Sequence, residues 1–306
     1  MKSLPPLHLL LICLVAAMLM AVGTAMLLNA VCPKAPPVVR VDDERILTQG
    51  QGVIRHQSRG HGSEAVVLLH GFNGQLGDWN AVWDRLDGCG HTVRLDLPGF
   101  GGSVWNTDDY TLPQQAQRFA AFLDALGIDR VTLVGTSMGG SLAAWFAAAH
   151  PQRVNGVLLL APSGYPDSLH YRRLFGLLVK PGPANQVAGW IARNRLYAKL
   201  FPESRALQAT SVTASYGHPW ARALQDVSAP TLLIWSRGDT SFHAAESVAA
   251  RIKNSRLQPV AANAGHLLPS TRPALVAAAA CHMARGVTPA QAQVELRQIL
   301  AATGDE

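Results

Sequence analysis

The segment from Gly135 to Gly139 reads Gly-Thr-Ser-Met-Gly and has the clearest capacity for covalent chemistry in this sequence. A serine hydroxyl is a poor nucleophile unless it is exposed on a sharp turn and paired with a base. The segment follows the apolar run Val131–Val134 and precedes a helix-forming stretch, so Ser137 is predicted to stand on a strand-to-helix turn. The two glycines would let the strand and the helix approach closely. Ser137 is therefore the candidate nucleophile.

Two later residues are of the types that activate a serine. Asp239 follows the apolar run Leu232–Trp235, and His266 lies shortly after the last predicted strand. In such a set the histidine takes the serine proton and returns one to the leaving group, while the aspartate fixes the imidazole tautomer. Asp226 is the alternative acid, but it precedes its strand and would point to the opposite edge of the sheet.

A third segment, His70-Gly71-Phe72, directly follows the apolar run Val66–Leu69. Acyl transfer builds negative charge on an oxygen, and backbone N–H groups must already point at that position. The N–H groups of Phe72 and Met138 are the predicted donors. We interpret His70 as a structural residue that holds this turn, because it lies within the turn rather than on a late loop.

The order of apolar runs predicts an α/β fold with a mostly parallel, doubly wound sheet of about eight strands. The runs are apolar at every residue, which is typical of strands covered on both faces. Segments rich in Ala and Leu alternate with them, as expected of βαβ units. The predicted strands are Arg45–Leu47, Gly52–His56, Val66–Leu69, Val93–Leu95, Val131–Val134, Val157–Leu160, Leu232–Trp235 and Leu257–Val260.

No strong strand pattern occurs between residues 162 and 229, which are predicted to form a helical cap over the core of residues 45–161 and 230–285. Eight basic and three acidic residues in this interval account for most of the net charge of +6. A solvated helical face, an attraction to anionic membranes and the steering of an anionic substrate all remain open. Its larger apolar side chains either line an acyl pocket or pack between cap and core: Phe175, Trp190, Tyr197, Phe201 and Trp220.

The amino-terminal segment, residues 1–32, contains twenty uncharged and mostly apolar residues from Leu9 to Leu28. Twenty helical residues span a hydrocarbon core of roughly 30 Å. We favour an uncleaved transmembrane anchor with the remaining chain on the extracytoplasmic side; a cleaved signal segment, which would release the protein, is the alternative. Residues 33–44, which include three prolines, are predicted to be a stiff, extended tether. Residues 286–306 are predicted to form a helix outside the core, capped by Thr288 and Gln291.

The four cysteines form neither a Cys-x-x-Cys pair nor a spaced Cys/His set, so no metal site is predicted, and no cofactor motif is recognisable. For Cys89 and Cys281 the sequence favours two small buried side chains, although an oxidising compartment would permit a disulfide. The arginines behind the pI of about 9.4 are scattered, so nucleic acid is not a predicted partner. The oligomeric state is not readable.

Together these residues resemble the α/β-hydrolase superfamily from about Arg45 to Arg285, including the order Ser137, Asp239, His266. The segment Asp96–Ser103 looks like the family's loop after the fourth strand, which implies a role as scaffold and pocket wall. The resemblance also implies that helices bearing Cys89 and Cys281 flank one face of the sheet, so that a disulfide is geometrically conceivable.

The resemblance implies a serine hydrolase, and a serine nucleophile argues against its aspartate-dependent dehalogenase and epoxide-hydrolase branches. A membrane anchor favours small-molecule or lipid-like carboxylic esters as substrates. Carbon–carbon hydrolysis of vinylogous diketones, and amide or aminopeptide hydrolysis, remain alternatives. A non-enzymatic binding module on the same scaffold would not need Ser137, Asp239 and His266 together.

Overall fold

The computed structural model describes residues 6–164 and 182–303. Its strands are β1 (Arg45–Gln49), β2 (Gly52–Arg59), β3 (Glu64–Leu69), β4 (His91–Leu95), β5 (Val104–Trp105), β6 (Arg130–Thr136), β7 (Val154–Leu160), β8 (Thr231–Ser236) and β9 (Ser255–Val260). Its α-helices are α1 (Pro6–Val31), α2 (Asn80–Trp83), α3 (Leu112–Ala125), α4 (Met138–Ala149), α5 (Pro183–Ala192), α6 (Arg195–Leu200), α7 (Ala206–Ala214), α8 (His218–Asp226), α9 (Ala245–Arg251), α10 (Leu268–Thr271), α11 (Pro273–Ala284) and α12 (Pro289–Thr303).

The strands form one sheet in the order β1-β2-β4-β3-β6-β7-β8-β9, and β5 pairs with β2. The pairs from β4 to β9 are parallel, whereas β2 runs antiparallel to β1, β4 and β5. This architecture confirms the predicted mostly parallel α/β sheet. The additional strand, β5, was not predicted, because its two residues are too few to show a pattern.

Helices cover both faces of the sheet, and successive residues of one strand therefore enter different cores. In β3, Val67 and Leu69 belong to the cluster shared with α3, α4 and α8. Val66 and Leu68 belong to the cluster shared with α2, α11 and α12. Burial on both faces explains why the central strands β3, β7 and β8 contain runs of consecutive apolar residues.

The carboxy-terminal helix α12 lies in the second of these cores, so its predicted position outside the core was wrong. Ala292, Leu296 and Leu300 are fully or almost fully buried. Their four-residue spacing forms one apolar stripe, which is enough to dock a helix that is otherwise polar. Thr288 and Gln291 form the predicted reciprocal cap, each side chain accepting from the other residue's N–H at 3.3 Å.

A disulfide joins Cys89 to Cys281, with their Cα atoms 5.2 Å apart. The sequence favoured two unpaired buried side chains, and this preference was wrong. The two cysteines are 192 residues apart in the chain. Only the packing of α11 beside α2 brings them into the range of Cα distances that a disulfide requires.

Four described helices, α5 to α8, lie between β7 and β8, where the cap was predicted. The fully buried Trp220 of α8 packs in the core cluster shared with α3 and α4 (the main core). Its indole N–H donates to the carbonyl of Ser141 in α4 at 3.4 Å. Tyr197 is buried beside α1, whereas Trp190 is mostly exposed, so neither lines a pocket shared with the core. Phe175 lies outside the described residues. The cap boundaries stay a prediction.

The segment between α1 and β1, which was predicted to be a stiff, extended tether, is hydrogen-bonded to other parts of the protein. The N–H of Ala35 donates to the carbonyl of Glu203 at 2.8 Å, and the side-chain amide of Asn73 donates to the carbonyl of Lys34 at 2.8 Å. The side chain of Gln75 accepts from the N–H of Val39 at 2.7 Å and donates to Pro37 at 3.0 Å. These hydrogen bonds attach the segment of residues 33–44 (the strap) to the chain between β7 and β8 and to the loop after β3.

Helix α1 contains one span, Leu10–Val31, that is long and apolar enough to cross a membrane, with a mean hydropathy of 2.6. The most apolar stretch of this span is not buried inside the protein. Most of the apolar side chains of α1 from Leu10 onward are exposed, and the helix lacks the polar face of a surface helix. The end of α1 packs against α5 through Leu28 and Cys32.

Candidate active site

Ser137 lies at the junction of β6 and α4 with a backbone φ of 51°, a left-handed conformation that side chains rarely adopt. Its N–H donates to the carbonyl of Leu160 at 2.9 Å, which ties the turn to the neighbouring strand. A Cβ at Gly135 would lie 2.3 Å from the carbonyl oxygen of Gly139, and one at Gly139 would lie 2.1 Å from that of Leu69. The two glycines are therefore required for the sharp turn that presents Ser137.

The turn after β3 lies directly against Ser137. A Cβ at Gly71 would approach the Cβ of Ser137 to 3.3 Å. His70 is completely buried, its Nε2 accepts from the N–H of Leu97 at 2.9 Å, and its Nδ1 lies 2.7 Å from the carbonyl of Gly71. Because Nε2 accepts, the proton of the neutral ring is on Nδ1. Burial lowers the pKa of His70, which favours this neutral form. These contacts match the structural role predicted for His70.

Asp239 and His266 come together from loops that follow β8 and β9. The Oδ2 atom of Asp239 lies 2.5 Å from Nδ1 of His266. Its Oδ1 atom accepts from the N–H of Ser241 at 2.8 Å and from the hydroxyl of Ser241 at 2.7 Å. Asp226, the alternative acid, is the last residue of α8 and precedes β8. The structure therefore places Asp239, and not Asp226, beside His266.

The carboxyl group of Asp239 is buried but remains ionised. Desolvation by burial would raise its pKa, but the hydrogen bonds from His266 and Ser241 and the attraction to His266 lower the pKa below its usual value of 3.8. A carboxylate bonded to Nδ1 fixes the proton of a neutral imidazole on that atom and leaves Nε2 available as an acceptor. The side chain of His266 is 42% exposed, so Nε2 has access to a bound molecule.

Ser137 and His266 line the same cavity, which has a volume of about 230 Å³. Phe72 and Gly71 form part of its wall, and the exposed Leu267 stands at its edge. Met138 is the first residue of α4, and the first N–H groups of a helix have no partner within the helix. Of the predicted site positions, Ser137, His266, Phe72 and Gly71 therefore line this cavity, whereas Asp239 contacts it through His266.

Ser236 and Ser241 support this arrangement and were not singled out in the sequence. The Ser236 hydroxyl donates to the carbonyl of Ala261 at 2.9 Å and accepts from the N–H groups of Gly238 and Gly265 at 3.2 and 3.0 Å. It thereby joins the loop that carries Asp239 to the loop that carries His266. In the sequence, Ser236 is a small polar residue at the end of an apolar strand. Such residues are common, so this position alone does not indicate a functional role.

The loop of residues 96–103 acts as a scaffold behind the site. Asp96 is completely buried; its Oδ1 accepts from the N–H of Leu76 at 2.6 Å, and its Oδ2 accepts from Arg55 at 2.8 Å and from Gly102 at 2.6 Å. These bonds hold the loops after β3 and β4 together. Within the described part of the chain, the loop does not contribute to the lining of the 230 Å³ cavity, so its predicted role as a pocket wall is not seen there.

Comparison with known proteins agrees with this geometry. A family model described as the alpha/beta hydrolase fold matches residues 64–200, from β3 to the end of α6. This chain has the α/β-hydrolase fold. The parallel sheet, the strained serine turn after β6 and the late acid and base loops are the features of that fold.

Two proteins similar to this chain are a lipase and a phospholipase by name. The monoacylglycerol lipase abhd6-A of Xenopus laevis is 28% identical over 253 residues, covering 71% of this chain and 75% of that protein. A crystal structure of a membrane phospholipase A superposes with a TM-score of 0.61 at 25% identity, covering 92% of this chain and 97% of that one.

A third relative shares a shorter region with this chain. The dihydrolipoyllysine-residue acetyltransferase component of an acetoin cleaving system in Cupriavidus necator is 41% identical over 117 residues. These residues are 38% of this chain and 31% of that protein. The chain thus spans less than a third of the length of that relative.

Proposed function

We propose that this α/β hydrolase cleaves carboxylic esters of lipid-like molecules through an acyl-enzyme intermediate on Ser137. One observation carries the proposal: Ser137, on its strained turn, shares a 230 Å³ cavity with His266, whose Nδ1 is held 2.5 Å from Asp239. These are the nucleophile, base and orienting acid that acyl transfer requires. The lipase and phospholipase names of two relatives support the choice of esters.

Acylation begins when Nε2 of His266 takes the proton of Ser137 as Oγ attacks the ester carbonyl carbon. The C–O π electrons move to the carbonyl oxygen, and His266 becomes an imidazolium that the ionised Asp239 stabilises. The tetrahedral intermediate then collapses, the bond to the alkoxy oxygen breaks, and this oxygen leaves with the proton from His266. Ser137 remains as an ester of the acyl group.

The developing oxyanion needs hydrogen-bond donors that are already in place. The backbone N–H groups of Phe72 and Met138 fill this role, because Phe72 lines the cavity and Met138 follows Ser137 at the start of α4. Water, deprotonated by His266, attacks the acyl-enzyme in the second half of the reaction. The carboxylic acid then leaves, and Ser137 regains its proton from His266.

Labelling with a fluorophosphonate probe tests the proposed nucleophile. The unmodified protein should be labelled and Ser137→Ala should not be. Ser270→Ala is the matched control, since Ser270 lines the same cavity, and this variant should be labelled normally. Labelling that persists in Ser137→Ala, or no labelling of the folded wild-type protein, overturns the assignment.

A substrate panel tests the proposed bond type. Monoacylglycerols and aryl esters of increasing chain length should be hydrolysed, with all turnover lost in Ser137→Ala. Turnover of vinylogous diketones or of amides, without turnover of any ester, would instead assign the site to carbon–carbon or amide hydrolysis. Probe labelling without turnover on the whole panel would leave the nucleophile intact but reject the ester class.

We further propose that α1 anchors the protein in a membrane, with the sheet domain on the extracytoplasmic side. The disulfide between Cys89 and Cys281 supports this side, because disulfides persist in oxidising compartments and are rare in the cytosol. Protein taken from membranes into denaturant with a thiol-blocking reagent should be modified at Cys13 and Cys32 only. Modification of Cys89 and Cys281 without prior reduction would contradict the proposed location.

A further inference from the structure

The helices α5 and α6 expose an unusual amount of apolar surface. The exposed fractions of four large side chains on them are 55% for Val187, 67% for Trp190, 64% for Leu196 and 62% for Leu200. Leu196 and Leu200 are four residues apart on α6 and therefore share one face. Single exposed apolar residues are ordinary, but a group of them on adjoining helices marks an interaction surface.

This apolar surface adjoins the membrane-spanning candidate α1. A groove of about 420 Å³ lies between α1 and the two helices; Val22 and Met26 line it from α1, and Trp190, Leu196 and Leu200 line it from α5 and α6. Leu28 and Cys32 close its base by packing against α5. One wall of the groove is therefore a helix whose remaining surface needs an apolar environment.

The length of α1 sets the depth of this groove. Its 26 residues extend about 39 Å at 1.5 Å per residue, whereas the hydrocarbon core needs only about 20 residues. The groove begins at Ala21 and reaches Met26, which lie five to ten residues before the end of α1 at Val31. A spanning α1 would thus place the groove and the side chains around it at the level of one leaflet.

Three cations accompany the apolar side chains. Arg193, Arg195 and Lys199 are all exposed and lie between or beside Trp190 and Leu200 in the sequence. No acidic residue occurs from residue 182 to residue 201. Apolar residues mixed with Lys and Arg on a surface helix are typical of segments that lie in the interface of membranes with anionic lipids.

We infer that α5 and α6 are embedded, beside α1, in a leaflet that contains anionic phospholipids. Val187, Trp190, Leu196 and Leu200 (the leaflet surface) enter the acyl-chain region, and the groove against α1 holds the acyl chain of a phospholipid. The three cations lie at the headgroup phosphates. This inference rests on the proposed anchoring by α1, and it adds a second membrane contact and a lipid site to that anchor.

The helices that carry the leaflet surface also contact the candidate active site through their buried side. Phe72, which lines the cavity with Ser137, packs both against the main core and against the buried cluster formed by α1, α5, α6 and α7.

Fluorescence quenching in lipid nanodiscs tests the inference on the full-length protein. In a Cys13→Ser/Cys32→Ala background, single cysteines replace Trp190, Leu196 or Leu200 and carry an environment-sensitive fluorophore. Leu14→Cys in α1 reports the anchor itself. Val294→Cys on α12 is the matched control, since Val294 is a similarly exposed apolar residue, 57% exposed, on another helix.

Doxyl-labelled phospholipid should quench the fluorophore at Trp190, Leu196, Leu200 and Leu14, with a blue shift in emission, whereas aqueous iodide should quench it at Val294. Quenching by iodide at the three leaflet positions, with Leu14 still quenched by lipid, overturns the inference while leaving the anchor intact. Protection of these positions from both quenchers identifies a protein partner, such as a second copy of the chain, and also overturns it.

The same labels test the contribution of charge. Arg193→Glu/Arg195→Glu/Lys199→Glu should weaken lipid quenching at Trp190 in nanodiscs containing phosphatidylglycerol, and the difference should be smaller in phosphatidylcholine alone. An equal response in both lipids rejects the assignment of these cations to anionic headgroups. Fluorophosphonate labelling of Ser137 in the variants reports the active site separately, so failure of the hydrolase proposal is distinguishable from failure of this one.

Discussion

At the scale of single residues, the backbone of Ser137 is held in a conformation that costs roughly 1–3 kcal/mol for a non-glycine residue. The hydrogen bonds around it compensate for this cost. Its N–H donates to Leu160 at 2.9 Å, and its carbonyl accepts from Ser163 at 3.1 Å and from Ser141 at 3.0 Å. The strain is therefore maintained by two strands and a helix, which keep the hydroxyl facing the cavity.

Asp239→Asn should lower kcat for ester hydrolysis by on the order of 10⁴-fold, because an amide no longer fixes the imidazole tautomer or stabilises its charged form. KM should change little. Asp239→Asn should still be folded, which circular dichroism checks. Activity within a few fold of the wild type would show that Asp239 does not orient His266.

The same variant tests the lowered pKa of Asp239. A carboxyl group whose pKa is lower in the folded than in the unfolded protein stabilises the fold above the unfolded pKa, near 4, and loses this contribution as pH falls through the folded pKa. The difference in free energy of unfolding between wild type and Asp239→Asn should therefore shrink as pH is lowered from 6 to about 3. A difference that is constant over this range, measured in urea titrations, would contradict the depressed pKa.

Ser236→Ala should lower kcat more than it changes KM, because Ser236 positions both the Asp239 loop and the His266 loop. Removal of a buried hydroxyl that satisfies several groups costs about 1–3 kcal/mol of stability. Ser255→Ala is the control: its hydroxyl donates to Ala249 at 2.8 Å, at the other end of β9 from His266. Both variants should lose stability, but Ser255→Ala should keep its kcat. Equal kcat values in the two variants would reduce Ser236 to a purely structural residue.

At the scale of elements, the strapped segment before β1 connects the end of α1 to the loop that carries Phe72. Gln75 makes two of its hydrogen bonds, to Val39 and Pro37, from a nearly buried side chain. Arg55 adds a third, from its guanidinium to the carbonyl of Val39 at 2.8 Å. The strap thus fixes the chain that follows α1 relative to the loop of the candidate oxyanion donor Phe72.

Gln75→Ala should release the strap, at a cost of about 1 kcal/mol for each hydrogen bond. Hydrogen exchange of the Val39 amide should become faster, and kcat should fall because the Phe72 loop loses a support. Arg40→Ala is the control, since the Arg40 side chain is exposed and pairs with Glu44 on the strap itself. Unchanged exchange at Val39 in Gln75→Ala would show that the strap is held by its other contacts.

At the scale of the whole molecule, the disulfide joins the segment between α2 and β4 to α11, across a sequence separation of 192 residues. A loop of this size restricts the unfolded chain strongly, and loss of such a bridge costs about 2–5 kcal/mol. The bridge lies on the face of the sheet that carries α2, α11 and α12, and it contacts neither Ser137 nor His266.

Cys89→Ser/Cys281→Ser should therefore unfold at a lower temperature than the wild type, while fluorophosphonate labelling of Ser137 at low temperature is retained. Reductant should lower the melting temperature of the wild type but not that of the double variant, which serves as its control. A wild-type melting temperature that does not respond to reductant under unfolding conditions would contradict a stabilising disulfide.

The sequence by itself determined the elements and the order of the candidate residues. Apolar runs such as Val131–Val134 are local patterns, and such runs are typical of strands that are buried on both faces. The glycines around Ser137 indicate a turn in which larger side chains would clash with the neighbouring backbone. Asp239 and His266 could be predicted as candidate site residues because the carboxyl ends of parallel strands lie at one edge of the sheet. The loops that follow these strands meet at that edge.

Only the tertiary structure decided which distant groups touch. The pairing of Cys89 with Cys281, the docking of α12 and the strap at Gln75 depend on distances across the fold that no local pattern encodes. Ser236 gained its role in the same way, because its partners Gly238 and Gly265 belong to different loops. The exposure of Trp190 beside α1 is likewise a tertiary property, since an apolar residue looks the same in sequence whether a core or a membrane covers it.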